Sequence, residues 1–186
     1  MIYELLRKNR TIRRFKQNEA PSEAILRSFV ESARLTASAA NLQRLRYFLI
    51  TDESDKIYPM ISLGGYLPKE QKPTAAEKPT AYIAVMAPEG AADPNIFIDI
   101  GIVAEAITLA AAEAGVGSCM IRSFSKRELN SFIAKEGYFP ELLIAFGYAA
   151  ESAKIIDAGS DGDIKYYKDE SGVNVVPKRT VDELII

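Results

Sequence analysis

Histidine is absent from the 186-residue sequence and cysteine occurs once, as Cys119. The first absence removes His-based triads and most zinc sites, and a lone cysteine makes neither an internal disulfide nor a CxxC pair. No metal site is expected. Charge of one sign is lacking too: 23 Lys and Arg stand against 25 Asp and Glu, a formal net charge of −2. No overall field draws in nucleic acid or an anionic membrane, so any anion site must be local. No uninterrupted apolar run reaches the ~18 residues of a membrane span. The longest candidate, Ile96 to Val116, is broken by Asp99, Glu105 and Glu113. The opening Met1-Ile2-Tyr3-Glu4-Leu5-Leu6-Arg7 lacks the apolar run of a signal peptide. A reducing cytoplasm is the expected compartment, and chemistry is left to carboxylates, cations or a bound cofactor.

What is present fits one domain spanning residues 1–186, with 48% hydrophobic residues. Tyr3 to Lys8 reads as a short helix leading into the cationic stretch Arg10-Thr11-Ile12-Arg13-Arg14-Phe15. Pro21 and Ser22 signal a second helix, with Ile25, Leu26, Phe29, Val30 and Ala33 on its core face. Buried strands are expected at 47–51, 81–86, 118–121 and 142–147, and helices at 55–62, 95–114 and 126–135. The proline-rich stretch 64–79 is either an access loop or a mobile insertion. From Asp161 the chain becomes a charged extension (161–186) with a turn at 169–172 and a short strand at 173–176. Helices and strands interleave without a βαβ rhythm, which predicts an α+β class.

Arg7, Lys8, Arg10, Arg13 and Arg14 crowd eight positions, with the Thr11 hydroxyl beside them. Such a group grips a phosphate through charge-assisted hydrogen bonds, or it is a solvated basic helix end. Lys178-Arg179 form a second cationic pair, which is either a surface pair or the other half of the same grip. Ser38-Ala39-Ala40-Asn41-Leu42-Gln43 combines small residues with amides, suited to the edge of a planar ligand or to a simple Asx turn. Gly115-Val116-Gly117 follows a helix and precedes a strand, the reverse of a dinucleotide fingerprint, so it reads as a helix stop. Cys119, in an apolar strand, reads as inert core.

Taken in order, these segments resemble the nitroreductase family. Arg10-Thr11-Ile12-Arg13-Arg14-Phe15 matches its R-(S/T)-x-R-x-(F/Y) opening, and Ala37 to Gln43 its P-S-(A/S)-x-N-x-Q-P loop, with Arg44 where proline is usual. Asp99 to Ala114 followed by Gly115-Val116-Gly117-Ser118-Cys119-Met120-Ile121 looks like the acidic-led helix and G-(L/I)-G-(S/T)-C-x-I strand. Val176-Pro177-Lys178-Arg179 resembles its basic C-terminal element. The resemblance implies a mostly antiparallel central sheet flanked by helices, in a homodimer with FMN at the interface. In family terms Arg10, Thr11, Lys178 and Arg179 hold the phosphate and ribityl chain, and Arg13 lies at the pyrimidine edge. Ser38, Ala39 and Asn41 come from the partner subunit. The backbone of Ile121, Arg122 and Ser123 faces the reactive ring nitrogen, though many members carry glycine near Arg122 and Ser123.

The implied activity is transfer of a hydride from NADH or NADPH, through FMN, to a small oxidant such as a nitroaromatic or quinone. Related flavin chemistry such as reductive dehalogenation, a flavin-sensing protein with little turnover, and a phosphate-binding module without flavin are the alternatives.

Overall fold

A computed structural model describes residues 1–159 and 162–186. The expected boundary of the C-terminal extension at Asp161 falls outside the described residues. The main sheet holds β1 (Arg46–Ile50), β2 (Ala81–Pro88), β3 (Gly117–Ile121) and β4 (Tyr138–Gly147), in the order β1-β2-β4-β3 with every pair antiparallel. Helices α1 (Ile2–Lys8), α2 (Glu23–Arg34), α3 (Ser54–Ile57), α4 (Asn95–Glu113) and α5 (Lys126–Ile133) surround it.

Strand β2 shows why the sheet sits where it does. Side chains alternate across a strand, so Ala81, Ile83, Val85 and Ala87 join one core with Leu26 and Phe29 of α2 and Ile100, Val103 and Ile107 of α4. Tyr82, Ala84 and Met86 enter the other, with Ile57 of α3 and Leu129 and Ile133 of α5. With both faces covered, β2 has no polar alternation and reads as a continuous apolar run. The expected α+β arrangement, an antiparallel sheet flanked by helices, is the one formed.

Helix α2 starts where expected, the Ser22 side chain accepting the Ile25 N–H at 3.3 Å. Helix α4 is the only one among the described residues long and apolar enough to cross a membrane by length and composition, at mean hydropathy 1.7. Half of that stretch is buried inside the domain, where α4 packs on α2 and β3. The charges counted as interruptions do not break it, because Asp99 is itself buried and hydrogen-bonded.

Three expectations need correction. The helix placed at 55–62 is only the short α3 followed by a 3-10 turn at Tyr58–Met60, since Pro59 lacks an N–H and Ile61 is drawn into a bridge with Phe124. Strand β4 begins four residues before the expected start, running through Pro140 at an irregularity in its pairing with β2. A second, three-stranded sheet in the order β5-β7-β6 forms from β5 (Ala153–Asp157), β6 (Tyr167–Lys168) and β7 (Asn174–Lys178), with β5 parallel to β7. Of these only β7 was foreseen, and the closing helix α6 (Val181–Leu184) was not.

Cys119 is 5% exposed, and burial pushes its thiol up to about 11. The native protein at pH 8 should react with a disulfide reagent roughly 100-fold slower than the unfolded chain, following the thiolate fraction. A stopped assay of released chromophore with and without guanidinium checks this.

Candidate functional site

The cationic N-terminal segment leaves α1 and crosses the ends of β3 and β4. Thr11 bridges Ser118, the Ile12 N–H donates to Ser118 O at 2.9 Å, and Phe15 bridges Ala149. Ile12 and Phe15 are buried and pin the segment down. Glycine is required beneath it: a Cβ at Gly147 would stand 2.8 Å from Phe15 Cδ1, and one at Gly117 3.1 Å from Ile12 Cβ. Arg10, just before the first anchor, and Arg13, between Ile12 and Phe15, face a cavity of about 390 Å³.

That cavity is also lined by Thr11, Ser118, Met120, Tyr166, Asn174 and Lys178. Both cationic ends of the chain therefore reach one place. Opposing Arg10, Arg13 and Lys178 is a single lining carboxylate, Glu105, which accepts from Asn9 Nδ2 at 3.2 Å. No ion pair joins any of these three cations to a carboxylate among the described residues. Burial lowers the Arg10 guanidinium below its ordinary value, only partly opposed by the Glu105 carboxylate. Arg10 Nε and Asn174 Oδ1 are buried without a hydrogen-bond partner. A half-buried cation and orphaned polar atoms around a pocket of this size are suited to a polar, anionic ligand such as a phosphate ester.

Glu151 joins the two ends and escaped sequence reasoning. With its side chain 5% exposed, it accepts from the Arg13 N–H at 2.6 Å, the Arg14 N–H at 3.2 Å and Asn174 Nδ2 at 2.7 Å. Lys168 Nζ lies 3.7 Å from it and Arg14 Nε 3.9 Å. The Ala149-Ala150-Glu151-Ser152 stretch carries no motif. The only signal available was a carboxylate in the connection between a strand and the basic tail.

Arg14 turns away from the cavity and holds the 64–79 loop. Its guanidinium donates to Glu77 Oε1 at 2.5 Å and to the carbonyls of Gln71 and Lys72 at 2.9 and 3.3 Å. The stretch 64–79 is thus tied to the domain, with short 3-10 turns at Lys69–Gln71 and Ala75–Glu77. Burial would raise the Glu77 carboxyl, but hydrogen bonds from Thr74 and Arg14 outweigh it and hold the group below its ordinary 4.5. A depressed carboxyl contributes stability that is complete above its unfolded value and fades as pH falls through the folded one. Acidification below about pH 4.5 should loosen this loop, and E77Q should flatten the change. Hydrogen exchange of residues 69–78 across pH 3–6 reads it.

The structure separates the remaining expected residues. Lys178 lines the cavity, whereas Arg179 is exposed and pairs with Glu183 at 3.8 Å. On β3 the side chains facing the cavity are Ser118 and Met120; Ile121 is core, and Arg122 and Ser123 follow the strand, exposed. Ser38 lines a second cavity of about 690 Å³, between α2, β1 and the Asp99 end of α4. There Ala40, Asn41 and Gln43 all take left-handed φ, of 48°, 54° and 47°, a backbone cost of the kind concentrated at functional sites. Asp99 Oδ1 holds the turn by accepting the Ala39 N–H at 2.9 Å. Arg44, where proline was expected, donates to Asp93 at 2.7 Å and lies 3.8 Å from Asp99. Its charge offsets the two carboxylates, so the departure is compensated locally.

Residues 6–148 match the family model described as Nitroreductase family. The chain belongs to the nitroreductase family. A search of curated protein sequences returns no match. Among solved structures, a nitroreductase family protein from Streptococcus pneumoniae TIGR4 is similar at TM-score 0.72 and 18% identity, over 100% of this chain and 99% of that one. A nitroreductase from Desulfovibrio desulfuricans, solved in complex with FMN, is similar at TM-score 0.70 and 18% identity, over 100% and 95%. The FMN-dependent nitroreductase NfnB from Mycobacterium smegmatis, solved with NADPH, is similar at TM-score 0.62 and 17% identity, over 80% and 87%. At these identities the likeness shows the nitroreductase fold alone.

Proposed function

We propose that this chain is an FMN-dependent oxidoreductase, a single 1–186 unit acting as a homodimer, that takes electrons from NADH or NADPH and passes them to a small oxidant such as a nitroaromatic or quinone. The observation that carries the reading is the convergence of Arg10, Thr11, Arg13 and Lys178 on one cavity with no counter-ion pair among the described residues. FMN, when bound, supplies a ring that accepts and returns a hydride, which is why neither His nor a reactive Cys is needed. Arg10, Thr11 and Lys178 would bind its phosphate and ribityl chain, and Arg179 would add charge from the rim. Arg13 would place a fixed positive charge at the pyrimidine edge, favouring added negative charge there and raising the reduction potential. The backbone of Ile121, Arg122 and Ser123 would face the reactive nitrogen, and loop 64–79 would shape access for donor and oxidant.

Support for a second copy comes from α4. Asp99, beside the 38–43 turn, and Thr108, beside the cationic cavity, are nine residues apart, so ~13 Å along the axis and half a turn round it. Within one chain the two half-sites therefore point different ways, and Ser38, Ala39 and Asn41 would complete the site of a partner. Phe97, Ile98 and Ile102 of α4 and Ile2, Tyr3 and Leu6 of α1 are exposed apolar residues suited to that contact. The FMN in the Desulfovibrio desulfuricans structure and the NADPH in that of NfnB support the cofactor and donor, and such a donor accords with a cytoplasmic setting. Anaerobic mixing of the holoprotein with NADH and then NADPH should bleach the flavin absorption with at least one of them. Flavin left oxidised by both would sink the reductase reading, and a monomer that retains FMN at micromolar concentration would sink the shared site.

A further inference from the structure

Two adjacent arginines hold the access loop by different routes. Arg14 grips residues 71–77 directly. At the other end, the Tyr66 N–H donates to Tyr166 Oη at 3.1 Å, and the two rings lie 5.2 Å apart at 54°. The Tyr166 ring in turn carries the Arg13 guanidinium, whose Cζ is 4.6 Å from the ring centroid. Among the described residues that guanidinium makes no hydrogen bond or ion pair, so the ring is what orients it. Tyr166 lines the same cavity as Arg13 and comes from the stretch between β5 and β6.

We propose that Tyr166 is the positioning residue for Arg13 and the link between the access loop and the cofactor pocket. While the loop lies down, Tyr66 fixes the Tyr166 hydroxyl and the ring fixes the charge of Arg13 toward the cavity. When residues 64–68 lift, Tyr166 loses its partner and Arg13 its orientation. Admission of a substrate is thereby coupled to the charge at the edge of the cofactor. This rests on the FMN reading above for the role of Arg13, but the tether itself does not.

The test uses Y166L, which removes ring and hydroxyl, and Y166F, which keeps the ring. In spectroelectrochemical titrations of the holoprotein, Y166L should lower the midpoint potential in the same direction as R13A, and the R13A/Y166L double variant should lie no lower than R13A. Y166F, which keeps the ring but loses the hydroxyl that Tyr66 holds, should fall between wild type and Y166L, and a Y166F potential equal to wild type overturns the coupling of the loop to Arg13. In the protein without flavin, Y166F should speed tryptic cleavage after the exposed Lys69 by ~5-fold, the worth of one hydrogen bond. A Y166L potential equal to wild type, or Y166L and R13A shifts that simply add, overturns the positioning role. Equal cleavage of Y166F and wild type overturns the tether. Failure of the wild type to bind FMN would instead remove the reading of the pocket, while the cleavage comparison still decides the tether.

Discussion

Replacing Glu151 with alanine is expected to destabilise the protein by ~3 kcal/mol and to abolish FMN retention below the melting transition. The carboxylate is buried and accepts three hydrogen bonds, two of them from the backbone of Arg13 and Arg14 and one from Asn174. Alanine leaves those donors without a partner and strands the nearby Lys168 charge, while Arg14 keeps Glu77. Removing one member of a buried ion pair costs more than the pair contributes, because the surviving charge stays desolvated. For a chain of this length the loss corresponds to a melting temperature about 10 °C lower. E151Q keeps the shape and some of the acceptor capacity and should fall between the two. Denaturant titration and FMN retention on gel filtration check both parts. A melting point within a degree of wild type would mean that Glu151 does not hold the chain ends together.

The second large effect concerns charge at the cavity. Alanine at both Arg10 and Lys178 should weaken FMN by ~1000-fold, since each charge-assisted hydrogen bond to a phosphate is worth ~1.5–3 kcal/mol. Riboflavin, which has the same ring but no phosphate, should lose far less. Flavin fluorescence titrations of the wild type and the double variant with both ligands make the comparison. Equal losses for FMN and riboflavin would place the two cations away from the phosphate.

The parts of the fold legible in the sequence are those whose signal is local. The Ser22 cap and the periodicity of α2, the apolar run of β2 and the Ala-rich α4 each announce themselves within one window. What was missed is made by partners distant in sequence. Strand β5 is Ala-Lys-Ile-Ile-Asp, largely exposed, and is a strand because β7 pairs with it in parallel. Glu151 is an ordinary carboxylate until Arg13, 138 positions away, folds onto it. Strand β4 extends back through Pro140 because an irregularity in its pairing with β2 tolerates a residue without an N–H.

The site divides in the same way. Spacing alone placed cations at both chain ends; the fold brings Arg10, Arg13 and Lys178 to one cavity and leaves Arg179 outside its lining. Composition left loop 64–79 open between an access loop and a mobile insertion; the fold adds that Arg14 ties its 71–77 part to the domain, a contact no local window reveals. Arg44, a departure from the family pattern, answers to Asp93 and Asp99, two residues no local window connects to it.

The most direct test of the central claim is an equilibrium titration of flavin-free protein with FMN, followed by flavin fluorescence and by the visible spectrum of the protein-bound fraction. Saturable uptake of one FMN per chain is expected, with the protein turning yellow and the R10A/K178A variant requiring far more ligand. A folded protein that stays colourless and takes up no FMN would contradict it.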